Sequence, residues 1–471
     1  MRKRLFSVTS LLMLALCMMA EGRAKYVFYF IGDGMGVNQV NAAETYLGAL
    51  QGRIGIEPLC FPSFPYSAFV NTQSATNSVT DSSAGGTALA CGKKTKNGVE
   101  GMLKDQTTEI TSVAKWAHDA GAAVGVTTSV SVDHATPAAF YAHVPDRNMY
   151  YEIGTFLGKS DFDFFAGSDF LKPENPNGGD DLYTQTQKAG YTIARGYKDY
   201  QKKCKKADKM VLLQTEEASK ANRSSIPYAL DRGKNDLTLS EITRAAINFL
   251  TKKQDSKDGF FLMVEGGKID WACHANDLAF IPEVIDMDNA VKVAYEFYQQ
   301  HPDETLIIVT ADHETGGLVL GSGPYELNLA NVRCQKMSIE KLGSELHKLH
   351  DKYGDKYSWD VVKSFLTDNM GFWKDVKVSE DQEKRLVRSF NNVMEGKGKD
   401  TKTLYQKDDE LAGTIKRVMS ENCLVGWVSG GHSDGYVPVF AIGAGAEAFH
   451  GRMDNTQIAP TVAKAAGWTV E

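Results

Sequence analysis

Asp270 and His274 stand four residues apart in GGKIDWACHAND. On a helix that spacing puts both side chains on one face, where a carboxylate and an imidazole can grip one cation. Asp312 and His313 are adjacent after the apolar run 305–311, Asp33 follows the run 26–31, and His432 sits in the glycine-rich SGGHSDG. Each residue alone reads as a cap, a turn residue or a solvated histidine. Taken together, acids and imidazoles at loop positions around one sheet edge make a metal centre the better reading. Imidazole with carboxylate suits zinc, and carboxylate with hydroxyl suits magnesium.

Close by in the chain is VTDSSAGGTALA, residues 79–90. A serine entering a Gly/Ala-rich helix sits at the positive end of the helix dipole, where a phosphate is also welcome. Taken alone, the segment reads as an ordinary N-cap at Ser82 or Ser83. Two glycine-rich stretches fail as nucleotide loops on spacing. GDGMG at 32–36 lacks the third glycine of GxGxxG, having Val37 there. In GTALACGKK, Gly86 and Gly92 are one residue too far apart for a P-loop, and Lys94 stands where Ser or Thr belongs.

These residues need a scaffold. The runs 26–31, 260–264 and 305–311 are unbroken apolar stretches that stop at polar loops, as in a parallel sheet covered on both faces. Thr238 with Glu241 forms a capping box, and Leu239, Ile242, Ala246, Phe249 and Leu250 follow at helical spacing. This is an α/β layout, a large central, mostly parallel sheet with helices on both faces. From residue 321 to 423 the texture changes. Lys and Glu crowd together, Ile339, Leu342, Leu346 and Leu349 mark one amphipathic helix, Leu411, Ile415 and Val418 mark another, and GKGKD at 396–400 marks a turn. We read 321–423 as a helical insertion, with 25–320 and 424–471 as the α/β domain around it. The runs 425–428 and 437–444 are expected to return to the core.

The chain has 471 residues, 42% of them apolar, enough for a large core and inconsistent with disorder or a coiled coil. Its formal charge is −7, an acidic balance that gives little long-range attraction for nucleic acid, so nucleic-acid recognition is not expected. The start, MRKR, is followed by an apolar stretch to Ala20 and by Gly22-Arg23-Ala24, small at the −3 and −1 positions. Residues 1–24 therefore read as a signal peptide, and the protein as exported, periplasmic or secreted. The apolar stretch is too short and too broken by Ser7, Thr9 and Ser10 for a membrane span. A lipid anchor at Cys17 fits less well, because Leu16 precedes it. No later stretch is long enough to be a transmembrane segment. Six further cysteines, Cys60, Cys91, Cys204, Cys273, Cys334 and Cys423, make no disulfide framework, with room for one or two bridges.

GDGMG at 32–36, TDSSAGGTA at 80–88, HATPA at 134–138, VEGGKID at 264–270 and TADHETGG at 310–317, with a glycine-flanked His432 after them, resemble the motifs of the alkaline phosphatase family, in family order. The resemblance covers roughly residues 25–320 and 424–471. It implies an alkaline-phosphatase-like fold, hydrolysis of small phosphate monoesters, two zinc ions and one magnesium ion. It implies Asp270, His274 and His432 as ligands of the first zinc, and Asp312, His313 and Asp33 as ligands of the second. Asp33, Thr136 and Glu265 are implied for the third ion. Ser82 matches the nucleophile and Arg147 the residue that grips two phosphate oxygens, a planar fork that Lys could not copy. His134 and Trp271 occupy positions that vary in the family. His134 can ligate the third ion directly and pull that site towards zinc. Trp271 offers no charge, so product phosphate is expected to be held less tightly. The resemblance also implies a homodimer.

Three other readings compete. A related two-zinc phosphodiesterase would lack the third-ion acid and the arginine, whereas Glu265 and Arg147 are present. A sulfatase would need a [CS]-x-P-x-R motif, which is absent around Ser82. A non-catalytic zinc-binding surface protein would need neither Ser82 nor Arg147.

Overall fold

A computed structural model describes residues 23–253 and 258–470 of the chain. The expected signal peptide lies outside the described residues except for Arg23 and Ala24. In chain order the strands are β1 (Tyr26–Ile31), β2 (Tyr66–Asn71), β3 (Ala123–Thr128), β4 (Phe164–Gly167), β5 (Tyr191–Arg195), β6 (Lys209–Leu213), β7 (Phe260–Glu265) and β8 (Thr305–Thr310). Six short ones follow: β9 (Glu314–Thr315), β10 (Leu318–Leu320), β11 (Thr401–Lys402), β12 (Lys407–Asp408), β13 (Val425–Trp427) and β14 (His432–Ser433). The last two are β15 (Val437–Gly443) and β16 (Gly451–Asp454).

The central sheet runs β16-β2-β15-β8-β1-β7-β3-β4-β6-β5. Only β15 is antiparallel to its neighbours, β8 and β2; every other pair in this sheet is parallel. Strands β1, β3, β7 and β8 are buried along their whole length. Burial on both faces is why their sequences are continuously apolar rather than alternating. The helix Leu239–Lys252 begins with the expected box, Thr238 capping Glu241 and Glu241 returning to the Thr238 backbone. Its stripe Leu239, Ile242, Ala246, Phe249 and Leu250 is buried.

Between β10 and β13 lie four helices, Ile339–Tyr353, Trp359–Met370, Glu380–Met394 and Glu410–Cys423, with the β11–β12 hairpin before the last. Ile339, Leu342 and Leu346 are buried, as are Leu411, Ile415 and Val418; Leu349 is half-buried. Two carboxylates outside the segment fix its first helix. Asp277 accepts from the Ile339 N–H at 2.7 Å and the Gln335 amide at 2.7 Å, and Asp231 accepts from the Ser338 N–H at 3.0 Å. Acids at a helix N-terminus satisfy free N–H groups and complement the dipole.

Two expectations change. The run 425–428 returns to the core in part, with Val425 buried in it and Trp427 packed against it, but β13 pairs antiparallel with β10 in a separate ladder and Val428 is exposed. The six cysteines after residue 24 are all free thiols, so no bridge forms. Among the described residues no helix is long and apolar enough to cross a membrane.

Candidate active site

Four adjacent central strands, β8, β1, β7 and β3, run parallel and end level. Ile31 pairs with Thr310 on one side and with Glu265 on the other, and Glu265 pairs with Thr128. This register delivers the residues that follow each strand to one edge: Asp33 after β1, Glu265 at the end of β7, Asp312 and His313 after β8, and His134 and Thr136 after β3. The carboxyl edge of such a sheet is where α/β proteins place ligands.

Asp270 and His274 lie in the helix Lys268–His274, one turn apart, with His274 Nε2 3.3 Å from Asp270 Oδ1. His432, on β14, faces them with its Nε2 3.1 Å from His274 Nε2. Each of these rings presents its Nδ1 to a backbone carbonyl, His274 to Gly430 at 2.7 Å and His432 to Thr80 at 2.8 Å. A carbonyl only accepts, so Nδ1 carries the proton and the two Nε2 atoms point lone pairs at one another. Two lone pairs and a carboxylate oxygen converging at this distance call for a cation between them.

A second set is Asp33, Asp312 and His313. His313 Nε2 is 3.2 Å from Asp33 Oδ1 and 3.3 Å from Asp312 Oδ2. The third set is Asp33, His134 and Glu265, and within each of the three sets the donor atoms lie within 4.8 Å of one another. Thr136 Oγ1 donates to Asp33 Oδ2 at 3.4 Å, and Thr128 donates to Glu265. Asp33 Oδ1, both ring nitrogens of His134, Glu265 Oε1, Asp270 Oδ2 and Asp312 Oδ2 are buried with no hydrogen-bond partner among the described residues. Buried polar atoms are normally paired, so this concentration of orphaned donors fits bound cations. Burial and mutual repulsion push the Asp33 and Asp312 carboxyls well up. Burial, opposed by hydrogen bonds from Thr128 and Thr136, raises Glu265 to about 7. Burial holds the His313 and His134 imidazoles neutral, the form that ligates a metal.

Ser82 is the first residue of the helix Ser82–Cys91, and its N-cap is Asp81 rather than Ser82 or Ser83. Asp81 takes the cap because its Oδ1 accepts from the Ala84 N–H at 3.0 Å, which frees the Ser82 hydroxyl. Ser82 Oγ lies 3.1 Å from His313 Nε2, at the second donor set. The helix comes this close because Gly85 has no side chain: a Cβ there would be 2.9 Å from the Asp312 carbonyl oxygen. Gly34, at φ +70°, turns the chain past Asp270 and donates to Asp312 Oδ1 at 3.2 Å. Arg147 is half-buried and held by Asp81, Nη1 to Oδ2 at 3.2 Å. Its charge is felt at Asp33, His134 and His313, so Ser82, Arg147 and all three donor sets share one site.

Trp271 follows Asp270, is only 6% exposed, and its ring centroid is 5.7 Å from that of His134. Over it lies Tyr405, a residue that sequence reasoning missed. Tyr405 is at the tip of the β11–β12 hairpin, where Thr403 N–H bonds to the Gln406 carbonyl at 2.8 Å. A single tyrosine in TKTLYQKDD carries no periodicity that would mark it. Glu314 was missed as well. Its carboxylate accepts from Gln39 at 2.7 Å, from the Gly317 N–H at 3.1 Å and from Ser433, tying β9 to β14 and stacking His432 on His313 at 3.6 Å. Its position directly after Asp312-His313 was the available signal.

A buried set of metal donors with a serine at a helix start can activate a hydroxyl and stabilise an oxyanion, the equipment of a metal-dependent hydrolase. A sequence profile described as alkaline phosphatase matches residues 24–468. Alkaline phosphatase 3 of Bacillus subtilis strain 168 is 30% identical over 468 residues, covering 96% of this chain and 91% of that protein. Among solved structures, the cold-active alkaline phosphatase of Shewanella sp. superposes with TM-score 0.76 at 28% identity, over 94% of this chain and 99% of that one. The alkaline phosphatase of the Antarctic bacterium TAB5 has TM-score 0.64 at 26% identity, over 95% and 99%. The chain belongs to the alkaline phosphatase family, and it is a metal-dependent phosphomonoesterase.

Proposed function

We propose that the chain hydrolyses a broad range of small phosphate monoesters by two successive in-line displacements, through a phosphoserine on Ser82. Asp270, His274 and His432 would hold one zinc, and Asp33, Asp312 and His313 a second. Asp33, Thr136, Glu265 and His134 would hold a third cation, magnesium or zinc. Magnesium occupies the site called M3 in two TAB5 variants in which a histidine is changed to Glu or Asp. Cations so held supply Lewis-acid stabilisation of oxyanions and a water acidic enough to attack at the working pH. Ser82 Oγ attacks phosphorus and the ester oxygen leaves on the side of Asp270, His274 and His432. Water then attacks the phosphoserine, releasing inorganic phosphate with net retention. The transition state has little covalent bonding to assist, so placing charge around the equatorial oxygens dominates, and Arg147 offers two parallel N–H donors for them. Trp271, uncharged, adds no grip on product phosphate.

The observation that carries this reading is Ser82 Oγ at 3.1 Å from His313 Nε2, inside a metal-donor set. The test is turnover of p-nitrophenyl phosphate, its bis-ester and its sulfate by purified protein, by Ser82→Ala, and after chelation with zinc and magnesium added back singly and jointly. Monoester turnover alone, lost in Ser82→Ala and restored by both metals, is expected; activity in a metal-free preparation overturns the reading. We also propose export with removal of residues 1–24 and a homodimeric state. N-terminal mass analysis of secreted protein and light scattering test these.

A further inference from the structure

A cavity of about 470 Å³ lies between the β11–β12 hairpin, the helix Glu410–Cys423 and the body of the protein, and its lining includes Asn276, Lys402, Lys416, Arg417, Trp427 and Gly430. It abuts the Asp270–His274–His432 donor set. The Gly430 carbonyl accepts from His274 Nδ1 at 2.7 Å, and Asn276 Nδ2 donates to the Ser429 carbonyl at 2.8 Å, in the loop that carries His432.

The cavity wall is cationic, and two of its charges are uncommitted. Lys416 is paired with Asp408 at 2.5 Å, and Glu421, the one acid of the lining, is held by Arg385 at 2.8 Å. These pairs cancel. Arg417 donates to Thr414 Oγ1 at 2.8 Å and acts on Glu421 one turn along the helix without forming an ion pair with it, and the Lys402 side chain has no ion pair or hydrogen bond among the described residues. Lys402 also sits directly opposite Lys407 in the two-residue β11–β12 ladder. Lys407 is ion-paired with Asp400 at 2.6 Å, which leaves Lys402 the unpaired cation of the ladder. Two cations without an ion-pair partner leave this wall net positive in a chain whose net charge is −7.

We propose that this cavity is a leaving-group subsite for monoesters whose leaving group bears its own anion, a carboxylate or a second phosphate, held by Lys402 and Arg417. The inference rests on the phosphomonoesterase reading above, in which the ester oxygen departs towards His274. The remainder of the leaving group then extends into the space beside that residue. Tyr405 and Trp271 form the wall it passes.

The test compares kcat/KM for two ester pairs matched but for a distal charge, the partner in each being neutral at its distal end: 3-phosphoglycerate with glycerol 1-phosphate, and hexane-1,6-diol bisphosphate, counted per phosphate, with 6-hydroxyhexyl phosphate. In at least one pair the wild type should favour the doubly anionic ester. The double variant Lys402→Glu/Arg417→Glu, at exposed positions, should lower kcat/KM for that ester about tenfold while leaving its neutral partner within about twofold, an effect that 0.5 M salt erodes. Calorimetric binding of the same esters to Ser82→Ala should lose affinity in the same pattern, independently of turnover. Equal losses for both members of each pair, or none, overturn the subsite while monoester hydrolysis stands. A metal-replete wild type that turns over neither neutral ester overturns the phosphatase reading itself, and the subsite with it.

Discussion

The phenol ring of Tyr405 lies on the indole of Trp271, centroids 4.4 Å apart and planes inclined by only 14°. The same ring meets His274 edge-on at 5.4 Å and His134 at 5.8 Å. One residue of the helical segment therefore touches side chains of two donor sets and covers the aromatic residue between them. Such a roof keeps water from the site, where charge–charge attraction strengthens as the dielectric falls. Tyr405→Ala should raise the inhibition constant of inorganic phosphate about three- to tenfold, as water admitted to the site weakens the attraction between phosphate and the charges around it. Tyr405→Phe keeps the stack and should restore the wild-type constant. If Phe behaves like Ala, the hydroxyl rather than the ring is what matters.

Ser82 and Ser83 are neighbours with opposite surroundings. Ser82 Oγ faces His313, whereas Ser83 is buried with its hydroxyl beside the Glu100 carboxylate. Removing a nucleophile abolishes the covalent route and leaves only the site's electrostatics, so Ser82→Ala should cost about 10³-fold or more in kcat. Ser83→Ala should stay within a few-fold. Trapping labelled phosphate on the protein in acid, followed by peptide mapping, checks the assignment: label on the 82–91 helix must vanish in the first variant and persist in the second.

Most of the site could be read from the chain because its residues follow strand ends, and strand ends are marked locally. Asp33, Glu265 and Asp312 each terminate an apolar run, and the four-residue spacing of Asp270 and His274 is a helix signature that needs no tertiary information. What could not be read is what arrives from far away. Tyr405 reaches Trp271 only because Asp277 and Asp231 pin the Ile339–Tyr353 helix and the hairpin follows from that docking. Strands β2 and β16 escaped notice for a related reason. Tyr66 and Phe69 on β2 are exposed while Ala68 and Val70 are buried, so β2 shows alternation at the sheet margin instead of the continuous apolar run of the centre. The run 425–428 is the converse case, an apolar sequence used in a peripheral ladder.

His134 presents two buried, unpartnered ring nitrogens to the set it shares with Asp33 and Glu265. Imidazole favours zinc, while a third carboxylate would make the set wholly oxygen, which favours magnesium. His134→Asp should therefore lower the magnesium concentration for half-reactivation of chelated enzyme by about tenfold, the scale on which changes around a metal site act. Elemental analysis of the variant should show more magnesium and less zinc per chain than the wild type. Unchanged metal content would remove His134 from the third site.

Glu100 is fully buried, beside the Ser83 hydroxyl and near Asp81 and Arg147. Burial pushes its carboxyl up to about 8, against the opposing pull of Arg147. The folded state thus keeps a proton that the unfolded chain gives up near its ordinary value of 4.5. Where the native state binds more protons than the unfolded one, stability falls as pH rises. The loss should accumulate from the ordinary carboxylate range up to about 8 and then level off. Glu100→Gln, of the same shape and neutral at every pH, removes this titration. Thermal unfolding of the metal-loaded proteins should therefore give a variant that matches wild type near pH 5 and melts a few degrees higher at pH 9. Parallel Tm curves across that range would mean that Glu100 carries its charge in the fold throughout, with Arg147 compensating it in full.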